Sequence, residues 1–339
     1  MAHKELLIGI AEAGVMNADP GEFDVDTRFR MVKDAGVFDY YDKTPPVQEL
    51  HIYRRAAERH ELPMTAGGFY YFLGRDEPLL EWHLRVGRDF GARVHNVQII
   101  AEDIHQRPVS DERVAEAYLR AAEVGDETGV VPCFEVHVNM WSEHFGRVRR
   151  VAEAVERRGV KFNMTLDHSH VIFKIDNPEA QEVQGMRADV AAGRIELDPF
   201  KPGNVCQQWI EAGYVRHAHA RAAVPNGPPN LWMNGADGKP GRGIQYPFIR
   251  PKTGEWHSEW DERRLEPWKE VVRQLMRHLA TDPTSQLSTI STEFIPFPDY
   301  GGGAKYSIFE NSIACAEWLR RTWAEVQTET TATVPEPAS

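Results

Sequence analysis

Glu135, Asp167, His219 and Glu293 each close a short apolar run: VVPCFE, VKFNMTLD, AGYVRHAH and LSTISTE. Carboxylates and imidazole are hard or borderline ligands, so the set suits a divalent cation. The oxygen majority favours Mn2+ or Mg2+, with Co2+ and Zn2+ as alternatives. A lone strand-end Glu is more often an ion-pair or capping partner. Four such residues on consecutive runs resist that explanation, because every structural role would have to coincide.

Their neighbours extend the chemistry. Asp167 opens D-H-S-H, which puts His170 just past the strand, where it would bond a substrate or the outer shell of the metal. His168 has the opposite parity and reads as a packing residue. His217 shares parity with His219 but sits one layer deeper, as a metal ligand, a support for the ligands or a substrate contact. General-base candidates are His144, His137, Glu135 and Glu293, and histidine has the ordinary pKa best suited to neutral pH.

The elements that must carry these residues alternate along the chain. Strands are expected at 7–10, 37–41, 62–68, 92–100, 130–136, 160–166, 214–220 and 287–294. Helices are expected at 24–35, 46–60, 77–90, 110–129, 144–158, 178–193, 203–212, 265–280 and 305–326, with Ser110 as a good N-cap. Eight strand–helix repeats predict a single closed (β/α)8 barrel over residues 1–326, with active-site residues at the C-terminal strand ends. An open doubly wound sheet is the competitor. No G-x-G-x-x-G follows the first strand, so neither NAD nor flavin is expected.

One segment breaks the rhythm. Residues 222–262, after strand seven, are rich in Gly, Pro, Asn and Trp and show no period. A connection this long is usually functional or an interaction element. Its Trp232, Tyr246, Trp256 and Trp260 would stack on a ring-shaped ligand or pack a lid. The last stretch, 327–339, is Thr/Pro/Ala-rich and reads as a disordered tail.

Composition narrows the setting. The 339 residues are 42% hydrophobic, enough for a large core, and carry a formal charge of −12. That balance argues against a nucleic-acid partner. Cys133, Cys206 and Cys315 are scattered, as free thiols in a reducing compartment would be, and a cytoplasmic location is expected. No run approaches the roughly 18 apolar residues of a membrane span.

Glu at strand five, Asp-x-x-His after strand six, His at strand seven and Glu at strand eight resemble the xylose isomerase-like TIM-barrel superfamily. That group includes ketose 3-epimerases, sugar isomerases, inosose dehydratases and endonuclease IV-type enzymes. The resemblance implies a divalent metal, often Mn2+, on Glu135, Asp167, His219 and Glu293. The E-x-H-x-N-x-W-S-E-H stretch (Glu135 to His144) and the loop GRGIQYPFIRPKTGEWHSEW are similar to the large subunit of bacterial C-glycoside deglycosidases. This narrower resemblance implies a carbon–carbon lyase acting on 3-oxo-C-glycosides, in complex with a small β-rich subunit. The alternative is a ketose epimerase or sugar isomerase acting on a free sugar.

Overall fold

The structure is a computed structural model that describes residues 4–16, 23–235, 238–297, 300 and 305–332. Eight parallel strands close into one barrel in the order β1-β10-β7-β6-β5-β4-β3-β2. They are β1 (Leu7–Ala11), β2 (Tyr40–Asp42), β3 (Ala66–Tyr71), β4 (Val94–Ile99), β5 (Val131–Glu135), β6 (Met164–Asp167), β7 (Val215–Ala220) and β10 (Thr289–Thr292). The expected (β/α)8 barrel is the observed one.

The surrounding helices follow their caps. Asp24 accepts from the Thr27 amide (2.7 Å) at the start of α1 (Val25–Ala35). Ser110 accepts from the Arg113 amide at the start of α4 (Asp111–Thr128). α2 spans Leu50–His60, and α3 spans Glu77–Phe90 as the spacing predicts. The apolar faces of these helices pack on the barrel in one continuous core.

Several boundaries differ from expectation for physical reasons. β2 lies later than residues 37–41, and β3 begins at Ala66 rather than at 62. Gly67 and Gly68 read as a strand end but lie inside β3. A Cβ on Gly67 would meet Thr44 Oγ1 at 2.5 Å, and one on Gly68 would meet Asn96 Cβ at 2.9 Å. Residues 178–193 form two short helices, α7 (Pro178–Glu182) and α8 (Arg187–Ala191), with Gly185 between them. After α9 (Val205–Glu211) and β7 comes the insertion. It holds a small antiparallel pair, β8 (Asn230–Asn234) with β9 (Pro240–Gly241), too short to show a period in the sequence.

α10 (Glu266–Thr281) follows the insertion. The last helix, α11, runs from Ile308 to Ala332. Residues 327–332, expected to begin a disordered tail, are therefore helical, and the rest of that expected tail lies outside the described residues. Among the described residues, no helix is long and apolar enough to cross a membrane.

Candidate metal centre and active site

Strand register assembles the centre. Asp167 on β6, His219 on β7 and Ser291 on β10 are direct partners across adjacent strands. Side chains two residues apart share a face. His217, His219 and Arg221 therefore stack upward along β7 and its end, as Thr289, Ser291 and Glu293 do along β10. Glu135 is the last residue of β5. All of this lies at the C-terminal end of the barrel, where active sites of this fold are built.

One ligand atom each from Glu135, Asp167, His219 and Glu293 lies within 4.8 Å of all the others. Two donors bound at about 2.1 Å on opposite sides of an ion stand about 4.2 Å apart, so the set fits one small divalent cation. His219 Nδ1 lies 3.0 Å from Glu135 Oε1 and 3.2 Å from Glu293 Oε2. Glu293 Oε2 is buried without a hydrogen-bond partner, as a waiting ligand atom would be.

The supporting residues explain how so much charge is held indoors. Asn96 Nδ2 (2.7 Å) and Gln98 Nε2 (2.6 Å) both donate to Glu135 Oε2, which leaves Oε1 for the centre. Ser169 donates to Asp167 Oδ1 through its amide (3.0 Å) and hydroxyl (2.6 Å). That turn starts α6 (Ser169–Ile172) and folds His170 back over the strand end. Arg221 is fully buried and bonds Asp167 directly, with His170 Nε2 at 2.6 Å and Ser169 Oγ at 3.1 Å. Its guanidinium lies 4.5 Å from the Tyr300 ring.

Burial pushes the Glu135 carboxyl up, but the charge and hydrogen bond of His219 outweigh it and bring its pKa down to about 2. Asp167 is likewise pushed up by burial and held well below the usual carboxylate range by Arg221 and His170. Burial works against the charge on His219, yet Glu293 and Glu135 raise it well above an ordinary histidine. His170 goes the other way, down to about 3, through burial and the neighbouring His137. With His219 neutral, as a ligand must be, three carboxylates against one guanidinium leave two excess negative charges, which one divalent cation would neutralise.

His137 and His170 lie ring against ring, with centroids 4.1 Å apart. His137 Nδ1 donates to the Val138 carbonyl (2.6 Å), so Nε2 is its acceptor and takes the Tyr300 hydroxyl at 2.9 Å. His217 sits one layer down, with Nδ1 2.8 Å from Thr289 Oγ1 and Nε2 3.5 Å from Asp42 Oδ2. His168 stacks on Trp268, the packing role its parity predicts.

The structure does not bring the other expected residues to this cluster. His144 ends just before α5 (Phe145–Glu156) and turns Nε2 to Asp189 on α8, 3.5 Å away. Trp232, Trp256 and Tyr246 pack on one another, with ring centroids 5.6 and 5.8 Å apart in that order. Tyr246 is 1% exposed and its hydroxyl is spent on the Asp261 amide at 2.8 Å. Trp260 donates to the Pro247 carbonyl. These aromatics build the interior of the insertion.

Sequence reasoning missed Asp42, Asn96, Gln98, Arg221 and Tyr300. Asn96 and Gln98 left a signal, two amides at alternate positions of the apolar strand VHNVQI. Arg221 left none, since a charged residue past a strand end ordinarily faces water.

No family model and no curated protein sequence matches the chain. Solved structures do match in fold. A D-allulose 3-epimerase from Methylomonas sp., in complex with D-allulose, superposes with TM-score 0.54 at 10% identity, covering 94% of this chain and 98% of the other. A D-psicose 3-epimerase from Clostridium cellulolyticum H10, with D-tagatose, gives 0.53 at 13% identity, covering 94% and 99%. A xylose isomerase-like TIM barrel protein from Mycobacterium smegmatis, in complex with magnesium, gives 0.54 at 11% identity, covering 95% and 98%. This chain therefore shares the barrel fold of these proteins.

Proposed function

We propose that this protein is a divalent-metal-dependent epimerase or isomerase that moves a proton at the carbon beside the carbonyl of a sugar. The observation that carries this reading is Glu135 and Glu293 on either side of His219 Nδ1, at 3.0 and 3.2 Å, inside a three-carboxylate, one-imidazole cage. A cation held there, Mn2+ or Mg2+ by its donor set, supplies Lewis-acid stabilisation of the enediolate left by that proton. The sugar-bound epimerases of the same fold support the substrate class.

The chain's own residues divide the work. Glu135 and Glu293 lie on two sides of the bound sugar and trade the carbon proton. Arg221 Nη1, buried 3.7 Å from Glu293 Oε2 and without a hydrogen-bond partner, would donate to a sugar oxygen bound there. His170 Nδ1 is buried and unpartnered in the same way and marks a second sugar contact. Asn96 and Gln98 keep Glu135 turned toward the centre.

A second reading, the C–C lyase acting on a 3-oxo-C-glycoside with a small β-rich partner subunit, is favoured by one pair. The Tyr300 hydroxyl on His137 Nε2 (2.9 Å) offers a relay that would take up the proton removed beside the carbonyl and return it to the departing aglycone.

Ketoses and 3-oxo-C-glycosides incubated in D2O with Mn2+ or Mg2+ separate the two. The expected result is deuterium at the carbon beside the ketose carbonyl, together with the epimer or isomer, both lost after chelation. Aglycone release without ketose exchange would move the assignment to the lyase. Exchange surviving chelation would remove the metal scheme.

A further inference from the structure

We propose that Asp42 is the positioning residue of the metal centre, fixing the Nε2 edge of His219 so that Nδ1 is the nitrogen presented to the cation. The inference rests on the metal reading above and adds a residue from the opposite side of the barrel.

The two edges of the His219 ring face different carboxylates. Nδ1 looks into the cluster, toward Glu135 and Glu293. Nε2 looks away from it, toward Asp42 Oδ2 at 3.8 Å. His217 Nε2 approaches the same oxygen at 3.5 Å and is itself buried without a hydrogen-bond partner. These are ion-pair separations rather than hydrogen bonds, so one carboxylate sits astride two rings.

Asp42 is the last residue of β2 and is 7% exposed. No lysine or arginine pairs with it among the described residues; the two imidazole rings take that place. A buried carboxylate without such a partner is costly, so this one is placed for those rings. It is also aimed. The Ser291 hydroxyl donates to Asp42 Oδ2 at 2.5 Å, and the Tyr40 hydroxyl lies 2.8 Å from Ser291 Oγ. Tyr40 reaches across the barrel interior only because residue 9 has no side chain: a Cβ on Gly9 would stand 2.3 Å from the Tyr40 ring. A chain of four positions, Gly9, Tyr40, Ser291 and Asp42, thus ends on the back edge of a metal ligand. Metal-bound imidazoles are commonly oriented by a carboxylate on their other nitrogen, and removing that group typically weakens the metal roughly 10–100-fold.

The test is calorimetric titration of the chelator-stripped full chain with Mn2+, as wild type and Asp42→Asn. We expect one ion per chain in both, bound roughly 10–100-fold more weakly by the variant. Nitrogen-15 histidine spectra of the Zn2+-loaded proteins should show a slowly exchanging Nε2–H on His219 in the wild type and its loss in Asp42→Asn. Ser291→Ala keeps the carboxylate and removes its guide; it should weaken Mn2+ by about threefold or more, and it carries the test if Asp42→Asn does not fold. Equal affinity and an unchanged Nε2–H signal would overturn the inference and leave the metal reading standing. A second wild-type ion that Asp42→Asn loses would make Asp42 a ligand, which also overturns it. A wild type that binds no divalent cation would overturn both readings.

Discussion

At Arg221 a single guanidinium bonds Asp167, Ser169 and His170 and lies against Tyr300, with no exposure to solvent. Inside so dry a site, a fixed cation lowers the cost of gathering three carboxylates. His144 illustrates the opposite case, a sequence candidate whose ring is engaged elsewhere, on Asp189. Replacing a general base costs about 10²–10⁴-fold in rate. We expect His144→Ala to keep kcat/KM on the identified sugar within about threefold, far short of that loss. A hundredfold fall with metal content unchanged would restore His144 as the base. The four candidate ligands were legible because each is a polar residue ending an apolar run. Asp42 ends a strand in the same way, but the reading placed that strand at 37–41, and Asp42 fell one residue outside it.

The insertion is tied to the barrel by a buried ion cluster. Glu143, in the turn before α5, accepts from Lys174 Nζ at 2.9 Å, from Arg242 of the insertion at 2.6 Å and from the Asn139 amide at 2.7 Å. Burial pushes Glu143 up, and Lys174 and Arg242 more than offset this to hold it below the usual range. Breaking one member of such a cluster strands the others. Glu143→Gln should cost about 3 kcal/mol in urea unfolding and speed proteolytic cutting within 222–262. An unchanged midpoint with an unchanged cutting rate would show that the cluster does not anchor the insertion. The insertion also crosses itself closely, since a Cβ on Gly243 would lie 2.0 Å from the Pro228 carbonyl oxygen. At this scale the long, periodic helices were readable, α3 to the residue. The insertion was not, because its order comes from aromatic packing and close backbone crossings between distant positions, which leave no period.

Stability of the whole molecule should depend on pH through two histidines packed between the barrel and α3. The Tyr71 hydroxyl lies 2.7 Å from His83 Nδ1 and 2.7 Å from His95 Nε2. Burial brings His83 down to about 4 and His95 to about 3. Above about pH 6.5 these histidines are neutral both folded and unfolded, and their contribution is full. Below it the unfolded chain takes up protons that the folded chain refuses, so stability falls toward pH 4 and then pH 3. The expected slope is about 1.4 kcal/mol per pH unit for each histidine. Urea unfolding between roughly pH 7 and pH 5 reads it, and His83→Asn should lower it by about 1.4 kcal/mol per pH unit, the buried His168 and His170 keeping their own share. A slope that His83→Asn leaves unchanged would exclude these groups. Barrel closure was predictable from the count of alternating elements, whereas the register that puts Asp167, His219 and Ser291 side by side was not.

The two negative charges left over at the centre govern sequence in time as well as position in space. A cage that is anionic when empty, in a chain of net charge −12, draws a divalent cation toward it. With a cation in place the same cage would be neutral and would offer the oxygens of a sugar a positive pole. Under the proposed function, loading would then be ordered, the ion entering first and each sugar binding over it.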